Sequence, residues 1–143
     1  MNTALPDPSS TFLANLPSLL PKLEALYKDV HAHPELSIQE TRTADLAAKH
    51  LRDNGYEVTT GVGKTGVVGL LRNGEGPMVM LRADMDALPV REASGVDYAS
   101  TVMAADAAGN AVPVAHACGH DIHVAWLMGV TSLFSQRRKV HGP

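Results

Sequence analysis

The fold is indicated most clearly by the stretch Val79-Met80-Leu81-Arg82-Ala83-Asp84-Met85-Asp86-Ala87-Leu88-Pro89. Its first three residues are apolar without alternation, which is typical of a strand covered on both faces of a sheet. Two carboxylates follow, and the carboxyl end of a strand is where open α/β sheets place their functional sites. We therefore expect an α/β fold in which helices pack on a mainly buried sheet.

The pattern before this stretch begins as helical. Residues 1–17 are rich in proline, serine and asparagine and are predicted to form a loosely ordered leader, which leaves residues 18–143 for the folded part. Leucines at positions 16, 19, 20, 23 and 26 recur with helical spacing and predict a helix that ends near Ala32. Pro34 then restricts His33 to an extended conformation.

A second helix is predicted from Ser37 and Glu40, which have the spacing of a capping box. Asn54-Gly55 is expected to end this helix. Beyond it the pattern changes to β: short strands are predicted at residues 56–60, 66–71 and 78–82, the last two joined as a hairpin by residues 72–77. Residues 90–110 have no clear periodicity, residues 111–117 favour a short extended segment, and a last helix should run from Asp121 to about Arg137.

Composition limits the class of protein. The chain has 143 residues, 45% of them hydrophobic, a net charge of −3 and one cysteine, which is ordinary for one globular domain. The few basic residues form no footprint for nucleic acid, and no window reaches the roughly 18 apolar residues of a membrane span. A lone cysteine forms no internal disulfide, so we expect a reducing cytoplasmic environment.

The densest chemical signal is His116-Ala117-Cys118-Gly119-His120-Asp121-Ile122-His123. Thiolate and imidazole are ligands that borderline divalent metals prefer, and a helix N-terminus favours the thiolate form. Cys118 and His120 are therefore candidate metal ligands. A buried thiol beside a hydrogen-bonded imidazole remains an alternative, as does a nucleophilic cysteine activated by a nearby histidine.

Other acidic residues and histidines are weaker candidates. Asp84 and Asp86 alternate along an extended segment, so only one of them can face a common site. His31 and His33 lie at a helix end, where a structural role is the default because the helix dipole favours a cationic histidine there. His123 lies one helical turn beyond His120 and could share its face. Asp121 and His123 could equally cap the helix or support a ligand.

Three segments together resemble, in order and spacing, the N-terminal part of the aminoacylase- and carboxypeptidase-type metallopeptidases with two co-catalytic metals. They are residues 31–37, residues 81–89 and residues 116–123. The branch that is most similar comprises the amidohydrolases, which include hippurate hydrolase, indoleacetyl-amino-acid hydrolases and N-acetyl-diaminopimelate deacetylase. The resemblance covers nearly the whole chain from about Pro21 onward.

The resemblance implies a zinc-aminopeptidase-like mixed sheet with flanking helices and a site for two divalent metals, zinc or manganese, with nickel or cobalt also accepted. It implies that Cys118 and His120 are metal ligands, with Cys118 bridging the metals, and that Asp86 orients a ligand. Relatives outside the amidohydrolase branch have histidine where this chain has Asp84, so Asp84 does not inherit that role. The substrate implied is an N-acyl amino acid, whose amide bond is attacked by metal-activated water.

The resemblance also implies that part of the site is missing. In the family, the catalytic base belongs to an adjacent Glu-Glu pair that follows the last predicted helix, and further histidine ligands and a lid or dimerisation domain come later. We therefore expect the N-terminal portion of a catalytic domain, with weak metal affinity, negligible hydrolysis and self-association through exposed sheet edges. A non-catalytic metal-binding or interaction module derived from the enzyme is the alternative.

Overall fold

Three helices form the larger layer of the fold. The computed structural model describes residues 12–137. After a 3-10 turn at Leu13–Asn15, helix α1 spans Leu16–Ala32, helix α2 spans Thr41–Asp53 and helix α3 spans His120–Gln136. The predicted ends of α1 at Ala32 and of α2 at Asn54 are confirmed, and α3 begins one residue before its predicted start.

The strands form two separate hairpins. Strand β1, Glu57–Val62, pairs antiparallel with β2, Gly66–Leu70, and β3, Met103–Ala105, pairs antiparallel with β4, Ala111–Pro113. The prediction of strands near residues 56–60 and 66–71 is confirmed. Strand β3 lies in the segment for which the sequence predicted nothing. Three residues are too few for the alternation of side chains to be recognised as a strand pattern.

Most of the predicted leader, residues 1–11, lies outside the described residues. Its last residues, 13–17, are helical: they form the 3-10 turn and the start of α1, and the ring of Phe12 packs on that of Phe134 with centroids 5.2 Å apart. This contact joins the start of the described chain to the end of α3. Among residues 12–137, no helix combines the length and the apolar character needed to span a membrane.

The start of α2 differs from the predicted capping box. Ser37 is exposed, and the carboxylate of Glu40 is buried and accepts a hydrogen bond from the hydroxyl of Thr65 at 2.6 Å. Glu35 caps the helix instead. Its two carboxylate oxygens accept the backbone N–H groups of Arg42 and Thr43, each at 2.8 Å. The capping-box prediction is wrong because the third-residue glutamate has a long-range partner and a residue further upstream supplies the cap.

This cap can be tested by comparing two alanine variants. Glu35→Ala leaves two helix N–H groups without their acceptor and should lower the free energy of unfolding by about 1–2 kcal/mol. Ser37→Ala should change it by less than about 0.5 kcal/mol, because Ser37 is an exposed residue outside the cap. Denaturant titration of both variants measures the difference. Equal losses would contradict the assignment of the cap to Glu35.

The predicted strand at residues 78–82 is absent from the structure. Met78, Val79 and Met80 are 84%, 79% and 85% exposed, and Leu81 is 52% exposed. The apolar pattern predicted a strand covered on both faces, and this prediction is wrong, because within the described residues no neighbouring strand pairs with the segment or covers it. The predicted hairpin through residues 72–77 is wrong for the same reason. Strand β2 turns back on β1, not forward onto this segment.

An exposed apolar segment of this kind should promote self-association. We expect Met80→Lys to weaken the association of the chain about tenfold, because it puts a charge where apolar surface would be buried. Asn73→Lys makes a similar change of charge at an exposed residue outside the apolar segment and serves as the control. Sedimentation equilibrium measures both constants. An equal effect of the two substitutions would show that net charge, and not this segment, governs association.

Two small cores hold the layers together. In the first, Ala47 of α2 packs with Val124 and Met128 of α3, and leucines of α1 and Met85 lie against them. In the second, Leu36, Ala87 and Val114 pack together beneath the β3–β4 hairpin. The chain is thus an α/β structure of helices and small sheets, in agreement with the predicted class. The strands that the structure describes form two antiparallel pairs and not one mixed sheet.

Candidate metal centre

The three sequence segments singled out above meet at the second core. Leu36 and Ala87 form a parallel bridge, in which the N–H of Ala87 donates to the carbonyl of Glu35 at 2.7 Å. Leu88 and Ala115 form an antiparallel bridge with two hydrogen bonds of 3.0 Å. Residues 87–88 therefore lie between the segment before α2 and the segment before α3, which places Asp86 beside the N-terminus of α3.

Helix α3 begins with a sharp turn of the backbone at Gly119. This residue has φ of 78° and ψ of 17°, in the left-handed region that a side chain disfavours. A Cβ there would lie 3.7 Å from Ile122, so conformation and not crowding requires the glycine. The turn separates Cys118, which precedes it, from His120, which is the first residue of the helix. Cys118 is exposed as a free thiol.

Asp86 holds the imidazole of His120. The Nδ1 atom of His120 lies 2.9 Å from the backbone oxygen of Asp86 and 3.0 Å from its Oδ1 atom. Both are acceptors, so Nδ1 carries a proton, and in the neutral ring the lone pair is therefore on Nε2. This is the arrangement in which a carboxylate fixes the tautomer of a metal-binding histidine. Asp84 points elsewhere and pairs with Arg82 at 2.5 Å, in keeping with the predicted alternation of the two aspartates.

His116 is buried beside these residues, and neither of its ring nitrogens has a hydrogen-bond partner. Burial lowers the pKa of His116, against the opposing effect of the Asp121 carboxylate, and therefore favours the neutral ring. A buried imidazole with two unsatisfied nitrogens is uncommon and requires a specific reason. The sequence did not single out this histidine from the others in the cluster, because nothing local reveals an absent partner.

His31 lies on the other side of the N-terminus of α3. Its Nδ1 atom is 2.6 Å from Oδ2 of Asp121, and its Nε2 atom is 2.9 Å from Oε1 of Glu92. Burial opposes the charged ring, but the two carboxylates outweigh it and raise the pKa of His31. Burial also opposes the charged form of Glu92, but hydrogen bonds from Ser94, His31 and Ser100 lower the pKa of Glu92 to about 2.

The remaining histidines have simpler roles. His33 makes a local hydrogen bond: its Nδ1 lies 2.7 Å from the carbonyl of Asp29, at the end of α1, as a structural role predicts. The carbonyl is an acceptor, so Nδ1 of His33 is the donor. His123 is exposed on α3 and lies on the same side as His120, with ring centroids 6.1 Å apart, and it stacks at 5.5 Å on Trp126.

The donor atoms of these residues are of the types that bind divalent metals. Cys118 offers a sulfur ligand, and His120 offers an imidazole whose Nδ1 is already bonded to Asp86. Over residues 12–137, however, no group of three or more histidine, cysteine or acidic side chains is arranged to hold a metal ion. The described part of the chain therefore supplies two candidate donors and one supporting carboxylate.

Comparison with known proteins gives a consistent result. The model of "Peptidase family M20/M25/M40" matches residues 80–143. The chain is 50% identical over 104 residues to thermostable carboxypeptidase 2 of Saccharolobus solfataricus, covering 71% of this chain and 24% of that protein. It is 42% identical over 108 residues to hippurate hydrolase of Campylobacter jejuni, covering 75% of this chain and 26% of that protein.

A solved structure agrees with these sequence matches. The YXEP protein of Bacillus subtilis, described as a dinuclear metal binding peptidase from the M20 family, superposes with a TM-score of 0.73 at 35% identity. The match covers 85% of this chain and 32% of that one. The chain thus spans about a quarter of the length of the two curated relatives. The predicted resemblance is confirmed: residues 80–143 match the M20/M25/M40 family of peptidases, and the relatives named above match 71% to 85% of the chain.

Proposed function

We propose that this chain carries part of the active site of a metal-dependent amidohydrolase that acts on N-acyl amino acids. The observation that supports this most directly is the contact between Asp86 and His120, because it leaves Nε2 of His120 as a ready ligand atom next to the free thiol of Cys118. Two divalent ions, zinc or manganese, are the proposed cofactors, and Cys118 and His120 are the described residues that would hold them. The solved relative is described as dinuclear.

Each residue has a separate part in this proposal. Cys118 and His120 bind the metal, and Asp86 orients His120 and keeps the proton on Nδ1. Bound ions of this kind supply Lewis acidity toward an amide carbonyl and toward water. The substrate class follows from the amidohydrolase relatives, one of which is named for the hydrolysis of hippurate, an N-acyl amino acid. The free thiol of Cys118 is compatible with the proposed cytoplasmic location.

The chain by itself is expected to bind metal weakly and to show negligible hydrolysis. Two protein donors are fewer than the three or four that catalytic and structural zinc sites use. The same observation favours the second candidate, a metal-binding or interaction module without catalysis. A thiol hydrolase is disfavoured, because among the described residues neither His116 nor His120 makes a hydrogen bond to the thiol of Cys118.

Metal analysis combined with a hydrolysis assay on N-acetyl and N-benzoyl amino acids tests these alternatives. We expect the chain to bind zinc, and we expect the Cys118→Ser/His120→Ala double variant to bind it with a higher dissociation constant. The chain alone should show no turnover. Turnover that a chelator abolishes would contradict the expected inactivity and support the enzyme. Tight metal binding without turnover would favour the module. Turnover that survives chelation and disappears after alkylation of Cys118 would replace the metal mechanism.

A further inference from the structure

The metal-centre hypothesis leaves unexplained why His31 is held between two carboxylates. The side chains of His31, Glu92 and Asp121 are only 12%, 8% and 4% exposed. Ionised carboxylates only accept hydrogen bonds, so both ring nitrogens of His31 must donate and the ring is an imidazolium. Desolvating three charged groups is costly unless their geometry is held in place. Such an arrangement is expected where it fixes something of functional value.

His31 connects three separate segments. Glu92 belongs to the loop after Pro89, and its Oε2 atom accepts the N–H of Ser100 at 2.5 Å. His31 lies in the last turn of α1. Asp121 is the second residue of α3 and directly follows the candidate ligand His120. The loop therefore holds His31, and His31 in turn holds the first turn of α3.

The surroundings of His31 restrict its ring further. The ring centroids of Tyr27 and Tyr98 lie 5.7 and 5.2 Å from that of His31, the second at an interplanar angle of 79°. Edge-to-face contacts of this kind oppose rotation of the imidazole. The ring is thus fixed by its two hydrogen bonds and by its two aromatic neighbours.

We infer that His31 is a positioning residue for the metal ligand His120. It acts through Asp121, whose buried carboxylate it binds, and so sets the orientation of the helical turn from which His120 reaches Asp86 and the metal. This inference rests on the proposed function only for its consequence at the metal. The effect on the first turn of α3 is expected whether or not a metal binds.

A contact in the C-terminal half of α3 provides a matched control. His50 of α2 also contacts α3 with its imidazole: Nε2 lies 2.9 Å from the carbonyl of Met128 and 3.0 Å from the hydroxyl of Ser132. Loss of His50 should therefore weaken the packing of α3 without disturbing its N-terminus. A general loss of stability is in this way separable from a loss of position at His120.

The experiment compares His31→Gln, His31→Asn and His50→Gln. The amide of asparagine occupies about the position of Nδ1 and can still donate to Asp121, whereas that of glutamine corresponds to Nε2 and faces Glu92. Two quantities are measured: hydrogen exchange of the His123 N–H, which bonds to the carbonyl of Gly119 at 3.1 Å, and the affinity for Co²⁺. The thiolate-to-cobalt absorption reports whether Cys118 is a ligand.

We expect His31→Gln to speed exchange at His123 and to weaken Co²⁺ binding, each by about tenfold. In His31→Asn, the exchange rate at His123 and the Co²⁺ affinity should return most of the way to their wild-type values. His50→Gln should change exchange near Met128 while leaving exchange at His123 and Co²⁺ affinity within about twofold of the wild type. Equal exchange at His123 in the wild type and His31→Gln would overturn the inference. Faster exchange with unchanged Co²⁺ affinity would overturn its consequence for the metal. Failure of the wild type to bind Co²⁺ would contradict the proposed function, and the exchange data would still decide the role of His31.

Discussion

The His120→Ala chain is expected to lose at least about a hundredfold in affinity for Zn²⁺, because it lacks one of only two candidate donors among residues 12–137. Asp86→Asn should cost about tenfold, since a neutral amide oxygen is a weaker acceptor than a carboxylate for the Nδ1–H of His120 and raises the basicity of the ring less. Isothermal titration with Zn²⁺, or competition with a chromophoric chelator where binding is weak, measures both constants. The order of the two effects is the essential result.

Each of these substitutions has a control in the same segment. Asp84→Asn removes a carboxylate two residues from Asp86, but Asp84 pairs with Arg82, so Zn²⁺ affinity should stay within about twofold. His123→Ala removes an exposed imidazole one turn after His120 and should likewise have little effect. A loss at His123 equal to that at His120 would contradict the proposed ligand set. It would favour adventitious binding by surface histidines.

The sequence predicted those parts of the fold that depend on local pattern. Leucine spacing located α1, and Asn54-Gly55 located the end of α2. The alternation of Asp84 and Asp86 predicted that the two carboxylates would point to different sides, and in the structure Asp86 contacts His120 whereas Asp84 pairs with Arg82. Local signals succeeded here because helix periodicity and strand alternation are set by the backbone of the segment itself.

Predictions failed where a distant partner decides the outcome. Glu40 has the correct spacing for a capping box, but its carboxylate bonds to Thr65, 25 residues away. The apolar residues 78–81 have the composition of a buried strand, but a strand forms only where another strand is available to pair with it. Glu92 could not have been linked to His31, 61 residues away, because no local pattern marks it as the partner of a histidine.

The same limit applies to the candidate site. The short spacing of Cys118 and His120 made them candidate metal ligands, and the resemblance to the metallopeptidases added Asp86. The supporting residues His31, Glu92 and Asp121 come from three segments that only the fold brings together. Through these hydrogen bonds, residues of α1 and of the loop after Pro89 hold the N-terminus of α3. The stability of this arrangement can be measured apart from any activity.

His31→Leu is expected to lower the free energy of unfolding by about 3 kcal/mol near pH 5.5, because it leaves two carboxylates buried without their cation. This difference in the free energy of unfolding should become smaller both at lower and at higher pH. The pKa of Glu92 is lowered from 4.5 to about 2, so its contribution is present above pH 4.5 and is lost as the pH falls toward 2. The pKa of His31 is raised from 6.5, so its contribution is present below pH 6.5 and is lost as the pH rises through the higher folded value.

The loss caused by His31→Leu should therefore be largest between pH 4.5 and 6.5 and shrink on either side. His50→Leu provides the opposite case, because burial lowers the pKa of His50 and its contribution is present above pH 6.5 and falls in acid. Urea titrations of the wild type and both variants across this range measure the two profiles. A His31→Leu difference that rises steadily with pH, like that of His50→Leu, would mean that His31 is neutral in the folded chain. Both carboxylates could then bond to the ring only if one of them carried the proton. A cationic His31 between Glu92 and Asp121 would be excluded.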